Sequence, residues 1–356
     1  GHARHVLMMR RTSVAGAAAL DFDTIIDVRS PAEYALDHLP GAINLPALSN
    51  DERARVGTIY KQVSLFDARK IGAALVAKNV AAHLEGPLAD KTGGWRPLVY
   101  CWRGGQRSGS FATILRAVGW RTDLVEGGYK SWRRLVLETL DQPIRAPVVV
   151  LDGNTGSAKT EVLLAAAAQG VQVIDLEGLA NHRGSIFGAR PGGQPAQTGF
   201  EGKLALALAQ LDPARPVLIE AESAKVGQLQ LPKTLWAALR TAPRLRLVAP
   251  LPARAAYLAR AYADIVADPL RLTRLIDQLR PYHAAEVIHR WHGLAGAQAF
   301  EALAAELMQR HYDPRYDKHR ARQDHRVIEI TTASLAPEAL TALAAEVTAA
   351  AGRLAV

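Results

Sequence analysis

The chain has one cysteine, Cys101, among 356 residues. No intrachain disulfide can form, so a reducing, cytoplasmic compartment is expected. A structural zinc site built on several thiolates is excluded for the same reason. No apolar run approaches the roughly 20 residues that a membrane helix needs, and mean hydropathy is −0.01. A soluble chain with no membrane partner is expected. The opening Gly1-His2-Ala3-Arg4-His5 lacks the apolar stretch of a signal peptide and reads as an appended scar rather than a targeting segment. Acidic residues are also short, 34 against 43 Lys and Arg, which leaves a formal charge of +9. That surplus suits a polyanionic partner such as RNA and equally suits a basic enzyme with none. A composition 49% hydrophobic and 22% charged is that of a globular protein. The length exceeds what one core usually serves, so two domains are expected.

Short β-branched runs alternate with helical stretches through the first part of the chain. Thr24 to Val28, Pro97 to Tyr100 and Asp123 to Glu126 read as buried strands. Ser30-Pro31-Ala32-Glu33 has the cap, first-turn Pro and third-position Glu of a helix start. Ser108 to Val118 reads as a helix closed by Gly119. Residues 48–95 read as an insertion around one helix near Asp67 to Ala82. Asp141 to Pro147, with two prolines, marks a break. A second unit then begins with the strand Val148 to Leu151, and Val171 to Leu176 and Val217 to Glu220 continue its sheet. Gly184 to Gly199 reads as a long loop. Beyond Pro252 the chain reads as helical and rich in Ala, Leu and Arg. The predicted class is α/β: an N-terminal parallel sheet with helices on both faces over 1–141, a second α/β domain over 146–252, and a helical basic region over 253–356.

The lone cysteine ends a strand, in Tyr100-Cys101-Trp102-Arg103-Gly104-Gly105-Gln106-Arg107-Ser108. An arginine six residues after the cysteine, at a helix start, makes an anion cradle. Loop amides converge, the helix N-terminus adds positive potential, and the arginine fork grips oxyanions. The same field favours a nucleophilic thiolate, and Gly104 and Gly105 permit the curl. The competing reading is a free cysteine that merely packs. Asp27-Val28-Arg29-Ser30-Pro31-Ala32-Glu33-Tyr34, Asp37 to Pro46 and Glu126 to Trp132 resemble the signature of rhodanese domains. Their loop usually places the arginine five residues after the cysteine. The interval of six widens the cradle toward a tetrahedral, phosphate-sized anion.

A second loop, Gly153-Asn154-Thr155-Gly156-Ser157-Ala158-Lys159-Thr160, follows an apolar strand and opens a helix. That is the setting of a Walker A phosphate loop, whose amides wrap phosphates while the lysine neutralises them and the Thr160 hydroxyl holds Mg²⁺. Ala158 stands where the pattern has its second glycine. This costs little if the Ala158 φ is negative, although the methyl crowds the phosphate. Glu220, Glu222 and Asp175, at predicted strand ends, are the candidate acidic partners of the metal, or else solvated carboxylates.

The tandem of these loops, together with Asp175 to Ser185 (which includes Arg183), Phe200-Glu201, Glu220 to Gly227, Leu231-Pro232 and Tyr312-Asp313-Pro314-Arg315-Tyr316, resembles the tRNA 2-selenouridine synthase family over nearly the whole length. The resemblance implies a rhodanese-like domain followed by a P-loop NTPase-like domain. It implies an enzyme acting on the wobble 2-thiouridine of tRNAs for Lys, Glu and Gln. Geranyl diphosphate alkylates the sulfur, and selenium from selenophosphate then replaces the geranylthio group. Cys101 becomes the residue that takes or relays selenium, with Arg103, Gly104, Gly105, Gln106, Arg107 and Ser108 around the anion. The phosphate loop becomes a prenyl diphosphate site. No tightly bound cofactor is expected beyond the two substrates, with Mg²⁺ as a further candidate.

A tRNA needs a basic surface. Arg310 to Arg326 holds six Lys or Arg against three Asp, with Tyr312 and Tyr316 interleaved, a composition suited to phosphate contacts and base stacking. Arg240, Arg244, Arg246, Arg254 and Arg260 add charge to the same region, or else solvate helix faces. His283, His289 and His292 follow no metal spacing. Two other functions stay open from the residues alone: a thiol phosphatase joined to a P-loop kinase for a small metabolite, and a non-catalytic binding protein with both loops as relics.

Overall fold

The structure, a computed structural model, describes residues 6–7, 12–220, 223–320 and 326–354. It divides into two compact units, residues 1–142 with 195–210 and residues 143–194 with 211–356.

Five parallel strands form the sheet of the first unit: β1 (Val6–Leu7), β2 (Thr24–Asp27), β3 (Ile43–Asn44), β4 (Pro97–Tyr100) and β5 (Asp123–Val125). Their order is β1-β5-β4-β2-β3. All four residues of β4 are buried, as an unbroken apolar run requires when helices cover both faces. Its carboxyl end delivers Cys101 to the rim where open α/β sheets bind ligands. The helix Pro31–Leu36 opens on a reciprocal cap, the Ser30 amide donating to Glu33 at 3.1 Å. The helix Gln106–Val118 closes on Gly119 at φ +111°.

Residues 48–95 hold two helices, Asn50–Gln62 and Leu65–Glu85, where one was predicted. The first buries none of its residues, so it has no apolar period to read. The predicted loop ends early, because Gln197–Ala209 is a helix. It packs on the helices Tyr129–Asp141 and Val14–Ala18 of the first unit and buries Phe200, Leu204 and Ala205 there. The continuous 146–252 domain is corrected accordingly.

The second unit is built on β6 (Val148–Gly153), β7 (Gln172–Ile174), β8 (Val217–Glu220), β9 (Lys225–Val226), β10 (Leu229–Gln230), β11 (Arg244–Val248) and β12 (Val327–Thr331). β9 and β10 form a small antiparallel ribbon, while the parallel main sheet has the order β12-β11-β6-β8-β7. Two of its strands replace predicted helical text. Arg244-Leu245-Arg246-Leu247-Val248 has the period of two that belongs to a strand, although its arginines suggested an exposed basic face. β12 lies inside the predicted helical region 253–356, which is therefore not separate from the phosphate-loop domain. The last helix, Pro337–Leu354, packs Leu343, Val347, Ala350 and Leu354 against Val162, Leu163 and Ala166 of the helix Lys159–Ala168. Between these elements, helices from Leu251 to Leu307 enclose a core of Ile265, Leu272, Ile276, Ile288 and Trp291. Among the described residues no helix is long and apolar enough to cross a membrane.

Candidate functional site

The cysteine loop leaves β4 and curls into the helix Gln106–Val118, whose first-turn amides have no acceptor within the helix. Arg103, Gly104, Gly105 and Gln106 are exposed, while Cys101 is only 3% exposed. The Cys101 Sγ and the buried Ser108 Oγ lie 3.1 Å apart. The closing segment seals the curl: the Tyr129 amide donates to the Cys101 carbonyl at 2.8 Å and the Lys130 amide to Trp102 at 3.1 Å. Gly128 makes this approach possible. It sits at φ +57°, and a Cβ there would fall 2.2 Å from the Cys101 carbonyl and 2.7 Å from the Gly104 amide.

The arginines of this site divide. Arg107 pairs with Glu33 at 2.8 Å, so its fork is directed to a carboxylate of the chain rather than left open for an anion. Arg103 keeps its exposed place on the loop. Asp27 and Arg29 are fully buried in a two-point pair whose shortest contact is 2.7 Å. Tyr100 donates to Asp27 at 2.7 Å, and the Arg29 guanidinium lies 4.0 Å over the Tyr129 ring. These two residues brace the scaffold under the loop and are closed off from solvent.

The second loop leaves β6, the central strand of its sheet. Lys159 is nearly buried and its Nζ donates to the Gly153 carbonyl at 2.7 Å. Ala158 adopts φ +60°, ψ +30°, so the condition of a negative φ is not met. A left-handed alanine costs about 1–2 kcal/mol; this one caps the helix Lys159–Ala168, its carbonyl accepting from the Val162 amide at 3.0 Å. Thr160 Oγ1 donates to Glu177 at 2.9 Å, and the Glu177 amide donates to Glu220 at 2.8 Å. Glu220 is 2% exposed and its other oxygen, Oε2, has no hydrogen-bond partner among the described residues. Burial first, then Asp175 and Glu177 nearby, push its carboxyl well above the ordinary range. Glu222 lies outside the described residues.

Three residues that sequence reasoning placed elsewhere or passed over complete the loop. Arg254, expected on a basic surface, is buried and donates to the Thr155 carbonyl at 2.8 and 3.0 Å. It also grips Asp313, at 2.7 and 3.0 Å, and Asn154 donates to the same carboxylate at 2.9 Å. Glu177, not previously singled out, faces Thr160. Arg244 and Arg246 also leave the predicted basic surface: Arg244 is buried and Arg246 pairs with Asp152 and Glu329.

Three cavities converge here. The first, about 380 Å³, is walled by the loop, Glu177, Arg183, Arg190 and Tyr257. Arg183 pairs with Asp264 at 2.6 Å and lies 4.7 Å over the Tyr262 ring. Arg190 Nε has no hydrogen-bond partner among the described residues. The second cavity is narrow, about 60 Å³, and is enclosed by Phe187, Leu258, Ile265, Leu272, Phe300 and Leu303 among others. The third, about 480 Å³, reaches from Glu177 and Glu220 to Tyr282, Tyr312 and Tyr316. Thr155 and Ser185 belong to the walls of all three.

A thiol-bearing loop on one parallel sheet and a phosphate loop on another define a two-domain enzyme of rhodanese-like and P-loop type. Residues 14–135 match the family model of the rhodanese-like domain, and residues 146–274 match that of the tRNA 2-selenouridine synthase AAA domain. Chromohalobacter salexigens tRNA 2-selenouridine synthase is 33% identical over 82% of this chain and 86% of its own. The Shewanella loihica protein of the same name is 36% identical over 80% of this chain and 71% of its own. The Alcanivorax borkumensis protein of that name is 40% identical, over 62% of this chain and 61% of its own length. The chain belongs to the tRNA 2-selenouridine synthase family.

Proposed function

We propose that the protein converts wobble 2-thiouridine in tRNAs for Lys, Glu and Gln to 2-selenouridine through an S-geranyl intermediate. The observation that carries this reading is the apolar cavity opening beside the phosphate loop, with Thr155, Ser185, Leu258 and Tyr262 in both walls. A ligand spanning both has an anionic head and a hydrocarbon tail, which describes geranyl diphosphate better than a nucleoside triphosphate with its polar ribose, and the narrow apolar cavity must widen to take the ten carbons. Loop amides, Lys159, Arg183 and Arg190 take the diphosphate. The thiocarbonyl sulfur attacks the first carbon of the chain. A carbon–sulfur bond forms, the carbon–oxygen bond breaks, diphosphate leaves, and the ring imide loses its proton. Thr160 and Glu177 supply hard oxygens of the kind that hold Mg²⁺ with one or two protein ligands and phosphate oxygens. When bound, that ion would neutralise the leaving diphosphate.

Selenophosphate would take the other loop. Its oxyanions suit the exposed amides near Arg103 to Gln106; the Cys101 thiolate would attack phosphorus, the phosphorus–selenium bond breaks, the released selenide displaces geranylthiolate at C2, and water then frees phosphate from the cysteine. Because Cys101 is covered and faces Ser108, the loop must shift to present the sulfur.

The test is nucleoside mass spectrometry of thiolated tRNA incubated with geranyl diphosphate and selenophosphate. The expected product is 2-selenouridine, with S-geranyl-2-thiouridine alone accumulating in Cys101→Ala. Consumption of ATP or hydrolysis of aryl phosphates in place of these products would favour the phosphatase–kinase reading. Equal loss of both products in Cys101→Ala would contradict the division of labour between the two loops.

A further inference from the structure

We infer that the third cavity, between the phosphate loop and the tyrosines around residues 282–316, is the pocket for the target nucleobase, turned out of a single-stranded RNA loop. This rests on the alkylation reading above, since it places the base beside the diphosphate. Six observations converge on it.

The cavity, about 480 Å³, falls in the range of small-molecule sites, which a single pyrimidine nucleoside would suit. Its wall carries three aromatic faces from two elements, Tyr282 on the turn Arg280–Tyr282 and Tyr312 with Tyr316 on the helical stretch after Leu307. Flat rings of this kind stack on unpaired bases and supply much of the affinity for single strands. The stretch Met308–Tyr312 is a π-helical turn, a device that re-aims side chains and is frequent at functional sites. Here it carries both His311 and Tyr312 to the cavity.

The inner end of the cavity holds the one feature a purely aromatic slot would not need. Glu220 lines it at 2% exposure, with one oxygen committed to the Glu177 amide and the other without a hydrogen-bond partner among the described residues. A buried carboxyl oxygen with nothing to bond is costly unless a ligand supplies the partner. The imide edge of a uracil ring presents such a group. At the outer end Arg315 lies 4.9 Å over the Tyr282 ring and Lys225 joins the wall, a place for backbone phosphates.

The position also fits the chemistry. The cavity shares Thr155, Glu177 and Ser185 with the phosphate cavity, and Thr155, Ser185 and Tyr312 with the apolar one. A base seated among the tyrosines therefore meets the junction of head and tail, where the reacting carbon of a prenyl diphosphate would lie.

The experiment uses the full chain and an anticodon stem–loop RNA carrying 4-thiouridine at the wobble position. After irradiation, peptide mass spectrometry should map adducts to Tyr282 or to the peptide spanning residues 311–316. Tyr282, 59% exposed, lines only this cavity of the three. Tyr282→Ala should weaken binding of the unlabelled stem–loop about tenfold, Tyr282→Trp should restore it, and titration with geranyl diphosphate should be unchanged in both. Adducts confined to other peptides, or none, overturn the assignment whatever the variant does. Wild-type protein that forms the expected adducts but never binds geranyl diphosphate leaves the base pocket standing and removes the alkylation reading.

Discussion

Asp313 and Arg254 form a two-point ion pair, 2.7 and 3.0 Å, on the back of the phosphate loop. Because Arg254 also holds the Thr155 carbonyl and Asp313 accepts from the Asn154 side-chain amide, three elements lock through one carboxylate. Leaving a buried charge alone costs about 3–5 kcal/mol. Asp313→Ala is therefore expected to lower unfolding stability by about 3 kcal/mol in denaturant titration and to raise the KM for the diphosphate substrate. Arg254→Lys should recover little of either, since an ammonium cannot span both oxygens and the carbonyl.

Ala158 invites a pair of substitutions. Glycine relieves about 1–2 kcal/mol of left-handed strain. It loses about 0.8 kcal/mol of methyl burial and adds roughly 0.5–1 kcal/mol of backbone entropy. These terms nearly cancel, so Ala158→Gly should unfold within about 1 kcal/mol of the parent. Ala158→Val, branched at a positive φ, should lose clearly more. If both variants melt together, the loop does not hold the conformation described.

Lys159 donates to its own loop carbonyl. When it turns to a phosphate it gains a charge-assisted hydrogen bond worth about 1.5–3 kcal/mol. Lys159→Ala should weaken geranyl diphosphate binding by roughly 10- to 150-fold, read by calorimetric titration, with little change in thermal stability. Unchanged geranylation in this variant would count against the phosphate-loop assignment.

Two groups in the third cavity should give the protein opposite pH slopes. His311 is pushed down to about 4 by burial, with Arg315 and His283 adding to it. The unfolded chain takes up its proton first, so this contribution is complete above about pH 6.5 and is lost as pH falls toward 4. The Glu220 carboxyl is pushed up, so its contribution is complete below its unfolded value near 4.5 and is lost as pH rises through the folded value. His311→Gln should flatten the acid limb of a melting-temperature profile. Glu220→Gln should gain stability over the parent progressively above pH 4.5.

Both loops were legible in the sequence because each is contiguous. Cys101 to Ser108 and Gly153 to Thr160 carry strand, curl and helix start in one short stretch, and each runs from a strand into a helix. Partners drawn from distant segments were not legible. Arg254 and Asp313 looked like members of a charged surface, since nothing local distinguishes an arginine that folds inward from one that is solvated. Arg107 looked free until Glu33, far upstream, proved to hold it. β11 was hidden by its arginines, and the helix Asn50–Gln62 by having no buried face. The φ of Ala158 is set by the surrounding loop, not by the alanine.

The helix Gln197–Ala209 sets an order of events on the ribosome. The chain begins the second unit at β6, goes back to lend the first unit the helix carrying Phe200, and only then resumes with β8. Synthesis up to residue 142 thus leaves the helices Tyr129–Asp141 and Val14–Ala18 with an uncovered oily flank. Any fragment cut at the apparent boundary inherits that flank as a tendency to aggregate, and a working sulfur-loop piece would have to carry the later segment spliced back in.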